Sequence, residues 1–219
     1  MGRKTVSFSL LMIAVTVAGA SSLIYEVLWI RQLGFALGST IVATSIMLTA
    51  FLGGLAIGSW AMGKKADKLK QPARTFAVVE VLAALTGVLS IPALAYAGRA
   101  YVLIATTMGA TGFSAMILRS LFALIIMAIP AILFGMTFPL ATVIGARLKG
   151  SEIAAGAVSA ASSFGSAFGA LACGLWLEPT LGLFASAVVA SALNVFAAAS
   201  VYAVLRLSVG VLSNRASRE

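Results

Sequence analysis

Histidine is absent from the 219-residue chain, and cysteine occurs once, as Cys173. The first absence excludes imidazole metal sites, imidazole general bases and Ser/His or Cys/His catalytic pairs. A single cysteine excludes an intrachain disulfide, and Cys173 lies in a run of small residues of the kind that packs helices. Charge is scarce too: 10% of residues are charged, against about 25% in soluble domains. Disorder needs low hydrophobicity and high charge, so it is excluded as well. What the chain has instead is 61% hydrophobic residues. That composition points to a polytopic membrane protein and leaves no room for a soluble catalytic domain of about 100 residues or more.

Lys and Arg outnumber Asp and Glu by 15 to 6. In a soluble protein this excess would suggest nucleic acid. Here the basic residues cluster at the ends of apolar runs, as the positive-inside rule requires, and no nucleic-acid partner is expected. The lipid bilayer is the first partner. Met1–Ser22 has the superficial form of a secretory signal, with Arg3, Lys4 and a small-residue Ala18-Gly19-Ala20 string. The apolar stretch continues to Ile30, however, which is long enough to span, so an uncleaved first helix is expected.

The expected fold is therefore all-α, a polytopic bundle of about six transmembrane helices forming one membrane domain over 1–219. The apolar runs place spans at about 8–30, 39–62, 75–97, 119–146, 153–177 and 181–206, with 207–219 as a cytoplasmic tail. Residues 98–118 are apolar enough to suggest a seventh span. Six spans put 12 Lys and Arg on the cytoplasmic side and leave only Arg31, Arg99 and Arg119 outside. Both termini are accordingly expected in the cytoplasm, and 98–118 is expected as an outer-face helix or re-entrant segment. The expected location is a bacterial inner membrane.

Six spans divide into three plus three, and an odd-numbered unit repeated once has inverted topology. Span two carries Gly54 and Gly58, and span five, its counterpart, carries Gly165 and Gly169. Glycine at four-residue spacing lets helix backbones approach closely. The pattern fits a 3+3 inverted repeat, and it equally fits packing seams of the kind common in membrane proteins.

Three strings carry a family resemblance: Leu23-Ile24-Tyr25-Glu26-Val27-Leu28-Trp29-Ile30-Arg31-Gln32-Leu33, Ala50-Phe51-Leu52-Gly53-Gly54-Leu55-Ala56-Ile57-Gly58-Ser59, and Phe134-Gly135-Met136-Thr137-Phe138-Pro139-Leu140. Together they resemble the membrane, major-facilitator-like region of bacterial spermidine-synthase-like fused membrane proteins. The likeness extends over nearly the whole chain, with Gly182-Leu183 and Asn194 in familiar positions. It implies half of a major-facilitator fold. In the fused proteins aminopropyl transfer belongs to a soluble domain after the last span, with a glycine-rich nucleotide-binding turn and amine-holding acids. This sequence reaches Glu219 about a dozen residues after span six, and the family's catalytic residues find no counterpart in it. The expectation is a chain that is not itself an enzyme and uses no cofactor or metal.

Ionisable groups in hydrocarbon each cost at least about 2.5–3.5 kcal/mol at mid-depth, so each needs a reason. Glu26 and Arg31 lie near the outer end of span one, and Arg119 starts span four at similar depth. They suit either an ion pair that pins helices or a gate for a solute. Glu80 lies about six residues into span three from Arg74. It suits a pair with a lysine of 64–70, or a cavity where it binds a cation or carries a proton. Glu178, before Pro179, is expected as a solvated turn residue, and Asn194 as an interhelical hydrogen-bonding group. Pro130, Gly135 and Pro139 interrupt span four as a candidate kink or hinge. The Gly63–Lys68 connector resembles the loop between the second and third helices of major-facilitator transporters, where an Asp beside basic residues latches the cytoplasmic ends. It equally suits a plain positive-inside loop.

Two functions follow. One is a transporter-like six-helix unit handling a small solute, cationic if Glu80 faces a cavity, and pairing as a homodimer or in a larger membrane complex. The other is a non-catalytic anchor or assembly subunit that docks a partner, including a separately encoded synthase-like enzyme at the cytoplasmic face.

Overall fold

The computed structural model describes residues 2–37, 40–108 and 112–216, and every regular element among them is helical. In chain order these are α1 (Arg3–Leu37), α2 (Thr40–Ala66), α3 (Pro72–Met108), α4 (Gly112–Lys149), α5 (Ser151–Ala172), a π-helical turn (Cys173–Leu177) and α6 (Glu178–Ala216). Five stretches are long and apolar enough to cross a membrane: Lys4–Phe35, Ile41–Ala66, Pro72–Gly98, Met116–Lys149 and Ser151–Val204. The last runs through α5, the π turn and most of α6, and it is broken at Gly182, whose φ of 78° and ψ of 175° interrupt the helix. Glycine takes that positive φ without the clash a Cβ would bring.

The break reverses the chain. Before it, Gly165, Gly169 and Cys173 meet Thr16, Ala20 and Ile24, so the two segments rise together. After it, Ala187 meets Tyr25 and Ala190 meets Ser21, so the chain now runs against α1. Helix α1 is thus held on two sides by consecutive parts of one apolar stretch. Its Leu11, Ala14, Tyr25, Leu28 and Trp29 are fully buried.

The core of the α1, α3 and α6 contact is aromatic and hydrogen-bonded. Tyr25 stacks on Trp29 and on Phe134 at ring-centroid distances of 5.9 and 5.8 Å. Its hydroxyl donates to the Ala187 carbonyl at 3.0 Å, and Gly87 leaves room for its ring. The Trp29 indole N–H donates to Ser90 Oγ at 2.8 Å, and the Gln32 amide donates to the Ile91 carbonyl at 2.8 Å. A buried aromatic with a polar tip needs such a partner, which explains the Tyr and Trp at this spacing. Outward faces are the reverse of a soluble surface: Leu52, Phe164, Phe168, Leu175 and Trp176 are all exposed. Apolar exposure on this scale suits contact with lipid.

Residues 98–118 do not form the separate segment expected of them. Their described part is shared between the end of α3, which continues to Met108, and the start of α4 at Gly112. Gly98 sits inside α3 with open space around it and does not stop the helix. Similarly, α6 continues to Ala216 through most of the expected tail, whose last residues 217–219 lie outside the described ones.

Candidate functional site

Two glycine seams carry the close packing. In one, α2 meets α4: Gly58 lies against the Ile132 carbonyl, Gly54 against Ala131, and Gly135 against the Leu55 carbonyl. In the other, α5 meets α1: Gly165 lies against the Thr16 carbonyl, Gly169 against the Ala20 carbonyl, and Gly19 against the Ser162 carbonyl. A Cβ at Gly58, Gly135, Gly165, Gly169 or Gly19 would collide with backbone, and one at Gly54 with the Ala131 Cβ. Each seam also carries one hydroxyl bridge. Ser59 Oγ donates to the Gly135 carbonyl at 2.8 Å, and Ser166 Oγ donates to the Gly19 carbonyl at 3.2 Å.

Several positions of the two seams recur at fixed intervals. An interval of 107 residues separates Leu55 from Ser162, Gly58 from Gly165 and Ser59 from Ser166. An interval of 116 separates Thr16 from Ile132 and Gly19 from Gly135. Gly58 and Gly165 thus each precede a serine and each meet a backbone carbonyl, of Ile132 and of Thr16.

Between the seams lies a cavity of about 260 Å³. Its wall includes the hydroxyls of Ser22, Ser59, Thr137, Ser162 and Ser166 and the rings of Phe51, Phe76, Phe134 and Phe138. Helix α4 contributes the stretch from Phe134 to Phe138, just before Pro139. Pro139 has no N–H to give the Gly135 carbonyl four residues earlier. Ser59 fills that vacancy from across the seam, so α4 stays one continuous helix through both Pro130 and Pro139. At Pro139 the freed carbonyl is thus re-satisfied by a neighbour's hydroxyl, as membrane helices permit, and Pro130 likewise lies inside the helix.

Glu80 and Asn194 lie beside this cavity and not in its wall. Both are fully buried. Neither carboxylate oxygen of Glu80 and neither amide atom of Asn194 has a hydrogen-bond partner among the described residues. Tyr25, Gly87 and Ala187 meet at one level. Seven residues further along each helix, two turns toward the seams, stand Ala18, Glu80 and Asn194. Ala18 lines the cavity, and so does Phe76, one turn before Glu80. The expected pair of Glu80 with a lysine of 64–70 does not form: burial separates the carboxylate from that loop, and Lys64 sits over the Trp60 ring at 3.6 Å. The expected interhelical hydrogen bond of Asn194 is likewise missing among the described residues.

At the other end of α1, Arg31 does not pair with Glu26. Arg31 Nε meets Glu178 Oε1 at 2.6 Å. Five residues along a helix separate Glu26 from the face that Arg31 uses. Glu178 is 7% exposed, a buried ion-pair partner and not the solvated turn residue expected. Glu26 is half-buried and has no ion pair among the described residues. Arg119 lies with Gln32, Leu33 and Phe122 around a small pocket of about 30 Å³. Arg147, at the end of α4, donates to the carbonyls of Asp67 and Leu69 at 3.3 and 2.9 Å and so caps the turn after α2. Arg31 and Arg147 are again 116 residues apart.

The serines of the wall were not legible as site residues, because serine in a membrane helix normally reads as packing. The repeated Gly-Ser pair at 58–59 and 165–166 is the signal that could have found them.

Among known proteins, the chain is 31% identical over 204 residues to a polyamine aminopropyltransferase of Corynebacterium efficiens. The match covers 90% of this chain and 35% of that protein, so the chain spans about a third of the relative's length. No family model matches the chain. No solved structure matches it either.

Proposed function

We propose that the chain is a six-span membrane unit of two inverted three-helix repeats, which carries a small solute through the cavity between its two glycine seams. Both termini face the cytoplasm of a bacterial inner membrane in this reading. The observation that carries it is the cavity's position between two seams that share a Gly-Ser pair at the same spacing, since transporter sites lie at repeat interfaces near mid-membrane.

Several features support six crossings. At 1.5 Å per residue the 54-residue stretch Ser151–Val204 would extend about 80 Å as one helix, against a hydrocarbon core of about 30 Å. It reverses at Gly182 and fits two crossings. The packing pattern suits a two-fold exchange of α1 with α4, α2 with α5 and α3 with α6. Under that exchange the α2–α4 contact maps onto α5–α1, α1–α6 onto α4–α3, and α1–α2 onto α4–α5, and all of these contacts are present. The exchange also maps Arg31 at the α5–α6 connection onto Arg147 at the α2–α3 connection.

The test is uptake by liposomes holding only this chain, using a panel of small cationic, neutral and anionic solutes. Saturable uptake of one class supports the reading. Tight proteoliposomes that accumulate none of them sink it.

The likeness to an aminopropyltransferase favours a second reading, in which the helices anchor a synthase-like enzyme, as a partner chain or a further domain, at the cytoplasmic face. Stoichiometric co-purification of such an enzyme from the native membrane, together with absent uptake, would favour the anchor.

A further inference from the structure

We propose that the cavity between the seams is a binding site for a small primary alkylammonium ion, with Glu80 as its counter-charge. This deepens the transport reading and rests on its choice of cavity.

The hydrogen-bond direction in the wall carries the argument. Four of the five lining hydroxyls have already spent their proton. Ser22 donates to the Gly19 carbonyl at 2.9 Å, Ser59 to Gly135, Thr137 to the Phe134 carbonyl at 2.7 Å, and Ser166 to Gly19. A hydroxyl whose hydrogen is engaged presents only lone pairs to a ligand. The rest of the lining is apolar, from Phe51, Phe76, Phe134 and Phe138 with Val15, Leu23 and Leu55. A wall whose polar groups are engaged hydroxyls selects a ligand rich in donors. A primary ammonium offers three donors. A carboxylate or phosphate would meet the lone pairs of those four hydroxyls, and a neutral alcohol would bring one donor.

The charge balance points the same way. No lining residue is ionisable. Glu80 is, and it stands one helical turn from Phe76 and level with Ala18, both in the wall. Side chains on a helix lean toward its N-terminus, which for Glu80 is the direction of Phe76. By sequence position the charged groups of the elements packed on α3 stand away from the Glu80 level: Glu26 and Arg31 on the Tyr25 side of α1 and Arg3 and Lys4 at its start, Arg119, Arg147 and Lys149 near the ends of α4, Glu178 at the start of α6, and Arg206 and Arg215 three turns or more beyond Asn194. A buried carboxylate without a partner is costly, and a cation in the adjoining cavity offsets that cost. The volume, about 260 Å³, lies below the roughly 300–1,000 Å³ of drug-sized pockets, so the alkyl part is short.

The probe is radiolabelled n-butylammonium, bound to the 219-residue chain in detergent and measured by equilibrium dialysis. Saturable binding is expected, with n-butanol and butyrate competing at least about tenfold more weakly than unlabelled n-butylammonium, since one lost ionic contact is worth that much. Glu80→Gln is expected to weaken binding about tenfold or more. The competition series uses the unaltered chain and does not depend on the variant folding. Absent binding, or equal competition by butanol or butyrate, overturns the proposal. Unchanged affinity in a folded Glu80→Gln variant overturns the role of Glu80. Butylammonium binding without uptake would leave this site standing and remove the transport reading. Uptake of another solute class without butylammonium binding would do the reverse.

Discussion

The hydroxyl of Ser59 on α2 donates to the carbonyl of Gly135 on α4, the carbonyl that Pro139 leaves without its helical partner. One hydrogen bond across a glycine seam thus closes a helix defect and shapes the wall of a cavity. The matching bridge from Ser166 to Gly19 has a different task, because Leu23 has an N–H and Gly19 keeps its own helical acceptor role.

That difference is measurable. Ser59→Ala is expected to leave a buried carbonyl unpaired and to cost about 1–3 kcal/mol. Ser166→Ala is expected to cost less, about 0.5 kcal/mol, typical of interhelical hydrogen bonds in membranes. Unfolding in mixed detergent ranks the two, and equal losses would contradict the assignment.

The seams themselves predict a contrast among glycines. Gly58→Ala and Gly165→Ala would drive a methyl into the carbonyls of Ile132 and Thr16, at a cost of about 1–3 kcal/mol each. Gly53 has open space around it, so Gly53→Ala is expected to be neutral or to stabilise α2 by up to about 1 kcal/mol through helix propensity. Thermal stability of the three variants in one detergent decides it.

The Arg31–Glu178 pair joins an arginine half in solvent to a carboxylate almost wholly buried. Breaking a buried pair costs about 3–5 kcal/mol and an exposed one under about 1. Arg31→Gln is expected between these, at about 1–2 kcal/mol. The Arg31→Gln, Glu178→Gln double variant is expected to recover part of that loss, because no carboxylate is then stranded. A double-mutant cycle gives the coupling, and strict additivity would show that the two residues do not interact.

Composition and hydrophobic runs made the membrane class and most helix positions legible, since length and apolarity suffice for both. The glycine seams were legible as seams, yet their register was not. The spacing names the glycines but not the backbone each one meets: Gly58 lies against Ile132 and Gly165 against Thr16, both far away in the chain. Glu178 escaped for a similar reason. Its neighbour Pro179 suggests a turn in water, but the helix continues through that point and breaks only at Gly182, which carries Glu178 into the bundle beside Arg31. The Tyr25-x-x-x-Trp29 spacing stood out as a string, and its role in the three-helix core needed Ser90, Gly87 and Ala187, which lie far away in the chain. Residues 98–118 contain no strong breaker before 109, so helix simply continued where charge counting suggested a separate piece.

Opposite insertion of the two three-span halves is the central claim, and the sidedness of their two connections tests it most directly. With Cys173 replaced by Ala, single cysteines at Lys65 and at Thr180 would be labelled in intact cells by a membrane-impermeant maleimide. The cysteine at Thr180 is expected to react from outside, while the one at Lys65 reacts only after the cells are opened. Labelling of both from the same side would contradict it.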